Sequence, residues 1–132
     1  MISWDRTLYE IPDQRSTGEA RDCVVRALGL AANLSYTRSW DMLRRYGRKT
    51  RRGTTWATWL RLIDAEYPTA KRTWYAKSIT VADFVKQCPT GSHVVFTRGH
   101  ALAVLNGTVH NWKPAHWDDL ETRLVNPPRA SA

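Results

Sequence analysis

Apolar positions in the first half of the chain recur at helical spacing, whereas in the second half they alternate or run together as strands do. From Cys23 to Ala32 they fall on nearly every side, so the helix expected there is buried rather than amphipathic, with Asp22 in the N-cap position. Tyr36, Trp40 and Leu43 predict a second helix ending near Gly47. Trp56, Trp59, Leu60, Ile63 and Tyr67 predict a third, opened by Thr54 or Thr55 and stopped before Pro68. Thr80-Val-Ala-Asp83 reads as a capping box, starting a short helix with Val81, Phe84, Val85 and Cys88 turned inward.

Beyond that point the period changes. Trp74-Tyr75 reads as a short strand, and His93 to Thr97 as a β-branched and aromatic strand after Gly91. Ala101 to Leu105 is a continuous apolar run, expected of a strand buried on both faces. Asn106-Gly107 is a strong two-residue hairpin signal, with Thr108 to Trp112 returning antiparallel. Thr122 to Val125 is a candidate edge strand. The expected class is α+β, a helical half followed by an antiparallel sheet half.

Length and composition narrow the setting. The 132 residues suit one domain spanning the whole chain, with 1–13 and 126–132 peripheral. Apolar residues make up 42% and charged residues 24%, a soluble globular balance, and no run reaches the ~18 apolar residues of a membrane span. Met1 to Glu10 has no apolar stretch to serve as a signal peptide, so no membrane association and a cytoplasmic setting are expected. Only two cysteines occur, Cys23 and Cys88, with no Cys-x-x-Cys, which argues against a disulfide framework or structural zinc. No metal or cofactor is expected.

The net charge of +8 is local: six basic residues, Arg44, Arg45, Arg48, Lys49, Arg51 and Arg52, lie in one stretch without an acid. Such a run is compatible with an acidic or nucleic-acid partner. A solvated helix end and loop is the favoured reading, because no recognised nucleic-acid motif accompanies the run.

Three residues then stand out together. A cysteine at a helix N-terminus meets backbone N–H groups and the positive end of the helix dipole, which favour the thiolate. Cys23 occupies that position, and the same amides can donate to an oxyanion on an attacked carbonyl. His100, after Gly99, opens a buried strand. If Asn106-Gly107 is a two-residue turn, Leu105 faces Thr108, Val104 faces Val109, Ala103 faces His110 and Leu102 faces Asn111. His100 and Asn111 then share a sheet face as diagonal neighbours, with backbones about 7 to 8 Å apart. The Asn111 oxygen is positioned to accept from one ring nitrogen, fixing the tautomer and leaving the other nitrogen for the thiol proton. A one-residue slip would destroy the pair. His110 points to the opposite face, and His93 and His116 lack a polar partner at a fixed offset, so these three read as surface or structural.

Asp22-Cys23 heading a buried helix, Gly99-His100-Ala101-Leu102-Ala103-Val104, and Asn111 on the next strand resemble papain-like cysteine peptidases, in particular the short papain-fold proteins of bacteria and bacteriophages. The likeness covers residues 14 to 113. It implies a cleft between the two halves, with Cys23 as nucleophile, His100 as general base and acid, Asn111 as orienting residue and the Cys23 amide as one oxyanion donor. The family's second donor is a glutamine shortly before the cysteine. Gln14, nine residues upstream and farther than the usual spacing, is the residue of this chain carried over to that role. The family's shielding tryptophan lies two residues after the asparagine; Trp112 follows immediately and is not assigned that role.

The expected activity is thiol-dependent hydrolysis of an amide or isopeptide bond in a protein or peptide substrate, with the basic run suited to an acidic one. Deamidation or acyl transfer through the same thioester is the alternative chemistry. A non-catalytic interaction protein on the same scaffold is a third reading, in keeping with seven tryptophans, although Trp40, Trp56 and Trp59 fit core packing by periodicity.

Overall fold

A computed structural model describes residues 3–5, 22–50, 52–111 and 119–126. Among these residues four helices precede most of the sheet: α1 (Cys23–Ala31), α2 (Tyr36–Arg45), α3 (Trp56–Glu66) and α4 (Val81–Gln87). The strands are β1 (Ser3–Asp5), β2 (Ser92–Thr97), β3 (His100–Leu105) and β4 (Thr108–His110), followed by a 3-10 turn at Asp119–Glu121. The fold is mixed α+β.

Each helix is bounded by the chemistry of its ends. Ser35, Thr55 and Thr80 cap α2, α3 and α4, each side-chain oxygen accepting the backbone N–H three residues on. The Thr80–Asp83 capping box is complete in both directions. At the end of α2, Gly47 adopts φ +116°. The Gly47 N–H donates to Arg44 O and the Arg48 N–H to Leu43 O, both at 3.0 Å, the double bond of a Schellman motif. This turn carries Arg48 inward to 3% exposure, so the basic run is not simply a solvated loop. Arg44 stacks over Trp40 at 4.7 Å, and Arg45 lies 3.7 Å from Glu66.

Caps bound the helices, but packing holds them. Leu28, Leu43 and Leu62 are at most 2% exposed. Burying each is worth about 1.5–3 kcal/mol, against ~1 kcal/mol for a cap. These leucines join Val24, Val25, Tyr36, Trp59 and Ala101 in one core, with Val94 and Phe96 of β2 against it. Trp56 and Trp59 meet the Phe96 ring at centroid distances of 4.6 and 5.2 Å. A second core lies on the opposite sheet face, where Val81, Phe84 and Val85 of α4 meet Val95, Leu102, Val104 and Val109. Half-buried Cys88 packs beside it. Because strand side chains alternate, Ala101 and Leu102 serve different cores.

The sheet order is β1-β4-β3-β2, with β1 parallel to β4 and the other pairs antiparallel. Leu105 pairs with Thr108, Val104 with Val109 and Ala103 with His110, the register that a two-residue turn dictates. Asn106 and Gly107 both have positive φ, 47° and 82°, as a type I′ turn requires. The Asn106 side chain also accepts the Gly91 N–H at 2.8 Å, tying the turn to the start of β2.

Two expected strands take another form. Trp74-Tyr75 is not a strand; the Asn126 side chain accepts the Tyr75 N–H at 3.0 Å and donates to Tyr75 O at 2.9 Å. One amide side chain thus replaces a strand partner. Thr122 to Val125 forms only isolated bridges, Arg123 to Thr80 and Leu124 to Thr97. Among the described residues no helix is long and apolar enough to cross a membrane.

Two predictions follow from these turns and caps. Gly107→Ala should destabilise the domain by more than about 1 kcal/mol, because the left-handed φ strains any side chain there; denaturant midpoints with an unchanged slope would check it. The Asp83 carboxyl is held below its ordinary value, first by the Thr80 backbone N–H and then by the Thr80 hydroxyl. Its depressed value means the stabilisation is present above the ordinary aspartate pKa and is lost as pH falls through the folded one. Asp83→Asn should therefore flatten the acid limb of the stability–pH curve, read by thermal melts across the acid range.

Candidate active site

Cys23 is the first residue of α1, a consequence of Asp22 leaving helical geometry at φ −113°, ψ 22° while its carbonyl accepts the Arg26 N–H at 3.0 Å. The thiol is half-buried and borders the core that contains Ala101. Helix α1 lies across β3, where the small side chains of Ala101 and Ala103 let the two backbones approach.

His100 begins β3, directly after the turn at Arg98-Gly99 that joins it to Thr97. Its Nε2 lies 2.7 Å from Asn111 Oδ1. Since the amide oxygen can only accept, Nε2 carries the proton and neutral His100 holds its basic lone pair on Nδ1. Asn111 is 1% exposed, so the bond is shielded from competing water. The diagonal pairing expected from the hairpin count is thus present. Nδ1 is also buried.

The other described histidines have structural surroundings. His93 Nε2 contacts Thr90 O at 2.8 Å and its ring meets Phe84 edge-on at 5.1 Å. His110 pairs with Ala103 on the alternate sheet face from Asn111. His116, Trp112 and Gln14 lie outside the described residues, as does Arg51 of the basic run.

The structure therefore brings His100 and Asn111 together and sets Cys23 at a helix head beside β3. Strand alternation assigns His100 to the face of Leu102 and α1 to the face of Ala101. Only at the start of β3, where the strand ends in a turn, can groups from the two faces meet.

One feature beside the cysteine escaped the sequence reading. The Asp22 carboxylate, 7% exposed, does not cap α1. Its Oδ2 accepts the Tyr36 hydroxyl at 2.8 Å and its Oδ1 accepts Arg26 Nε–H at 3.2 Å. The four-residue spacing from Asp22 to Arg26 was a local signal for half of this arrangement. Tyr36 reads as an apolar helix position, and nothing in its spacing announces a buried hydroxyl bond.

Among the described residues no cluster of histidine, cysteine, aspartate or glutamate is suited to a metal ion. An open, mainly apolar cavity of ≈ 420 Å³ lies at the far end of α1 from Cys23, against Leu28, Ala32, Trp59, Tyr67, Tyr75 and Phe96. No family description, curated protein or solved structure matches the chain.

The Asn111 contact makes a direct prediction. Asn111→Ala takes the acceptor from a buried imidazole N–H and should destabilise the protein by about 1–3 kcal/mol. In the wild type, nitrogen NMR should find neutral His100 in the Nε2–H tautomer; in the variant a mixture of tautomers should appear.

Proposed function

We propose that this protein is a thiol-dependent hydrolase of the papain-like type, cleaving an amide or isopeptide bond with Cys23 as nucleophile and His100 as base. The observation that carries the reading is the 2.7 Å bond between His100 Nε2 and buried Asn111 Oδ1. Such a bond leaves Nδ1 as the proton acceptor, and the cysteine at the head of α1 supplies the proton.

In the proposed cycle the Cys23 thiol proton passes to His100 Nδ1. The sulfur attacks the scissile carbonyl carbon, and first-turn amides of α1, the Cys23 N–H included, stabilise the oxyanion. The imidazolium returns its proton to the departing amine as the C–N bond breaks, leaving a thioester. Water then gives a proton to Nδ1 and attacks the thioester carbonyl; the C–S bond breaks and the thiol is restored. Asn111 retains the ring orientation throughout. The proposed cycle requires the sulfur and the ring to meet at the start of β3, beside the Arg98-Gly99 turn. The substrate proposed is a protein or peptide, and an acidic one suits the exposed members of the basic run, Arg44, Arg45, Lys49 and Arg52. The same thioester would serve deamidation or acyl transfer, and mass analysis of the products separates the three.

Cys23→Ala should abolish turnover while preserving the fold. In the wild type, iodoacetamide should modify Cys23 much faster than Cys88 near neutral pH, the sites being distinguished by peptide mass mapping. Equal labelling of the two thiols would remove the activated nucleophile on which the proposal stands.

A further inference from the structure

Asp22 is the residue type that most readily caps a helix, and it stands in the capping position of α1. Ser35, Thr55 and Thr80 all cap the helices they precede. Asp22 alone does not: its backbone lies at φ −113°, ψ 22° where the other three are extended, and Tyr36 from α2 and Arg26 from α1 hold its two oxygens. The arrangement is fixed by packing: Tyr36 is 2% exposed, and Ser39, one turn further along α2, donates to Val25 O at 2.7 Å. Rotating the carboxylate onto the first turn would place a full negative charge beside the Cys23 sulfur. It would also occupy the amides that an oxyanion needs.

We infer that Asp22 and Tyr36 are positioning residues for the nucleophile: the tyrosine hydroxyl holds the carboxylate off the head of α1, so that the helix end serves the sulfur and the oxyanion instead. The inference rests on the hydrolase reading for its catalytic consequence. Its effect on thiol reactivity needs no substrate. Among the described residues, the charged and titratable groups bonded to Asp22 are Arg26 on its own helix and Tyr36 on α2. Tyr36 contributes a neutral donor, so removing its hydroxyl changes no charge directly.

The test is the pH dependence of Cys23 alkylation by iodoacetamide in the full-length protein. Tyr36→Phe keeps the ring and releases Oδ2. The alkylation midpoint should rise by about one pH unit, a roughly tenfold slower reaction below it, and kcat should fall with it. In the Asp22→Asn background the same Tyr36→Phe change should leave the midpoint where Asp22→Asn alone puts it, because no carboxylate remains to swing. Should Tyr36→Phe fail to fold by circular dichroism, Arg26→Gln releases the other oxygen. Its rise must then vanish in the Asp22→Asn background, whereas a rise caused by the lost arginine charge would persist there. An unchanged midpoint in folded Tyr36→Phe, or a rise that survives Asp22→Asn, overturns the inference. A wild-type Cys23 no more reactive than Cys88 would instead overturn the hydrolase reading, which keeps the two failures distinct.

Discussion

The register of the β3–β4 hairpin is the constraint from which both cores and the imidazole geometry follow. Side chains in a strand alternate with a period of two, so a shift of one residue exchanges every inward and outward position. In the observed register Leu102, Val104 and Val109 fill the core under α4, and Ala101 is left for α1. The same register sets Asn111 on the face of His100, within 2.7 Å of its ring. A slip would therefore bury the wrong residues and break the polar pair at once. Two left-handed residues, Asn106 and Gly107, prevent it, aided by the bond from Gly91 N–H to the Asn106 side chain.

Placed on that sheet, α1 is tightly determined. It packs on small residues of β3, is crossed by α2, and has its Val25 carbonyl bonded by Ser39 from inside the core. A helix buried on several sides has little freedom to slide, so its first residue is held in place by packing well away from it. The core thereby does for the sulfur what Asn111 does for the ring. Each chemical group is fixed by a neighbour that itself touches no substrate in the proposed cycle.

Much of this was legible because local signals and packing agreed. The spacing of Trp56, Trp59 and Ile63, the threonines before α3 and α4, and Asn106-Gly107 all point where the tertiary structure also points. The His100–Asn111 pair was legible for the same reason: a tight turn makes a non-local contact countable from sequence. What could not be read depended on contacts between distant segments. Trp74-Tyr75 has strand-like residues, yet its backbone is completed by Asn126, fifty-one positions away. Arg48 looks like one charge in a solvated run, but the Schellman turn at Gly47 carries it into the interior.

Asp22 shows why such a mismatch carries information. Local preference would set its carboxylate on the first turn of α1, where a cap is worth about 1 kcal/mol. The folded protein gives up that bond and holds the carboxylate nearly buried instead, which requires a hydroxyl and a guanidinium to satisfy it. The exchange ties the head of α1 to α2 through the Tyr36 hydroxyl, and Asp22 at φ −113°, ψ 22° lacks the extended backbone with which Ser35 caps α2. It also leaves the carboxylate off the first turn of α1. On this chain the residue at that head is a cysteine, and in the proposed cycle the helix end then meets the charge that its sulfur and an attacked carbonyl carry in turn.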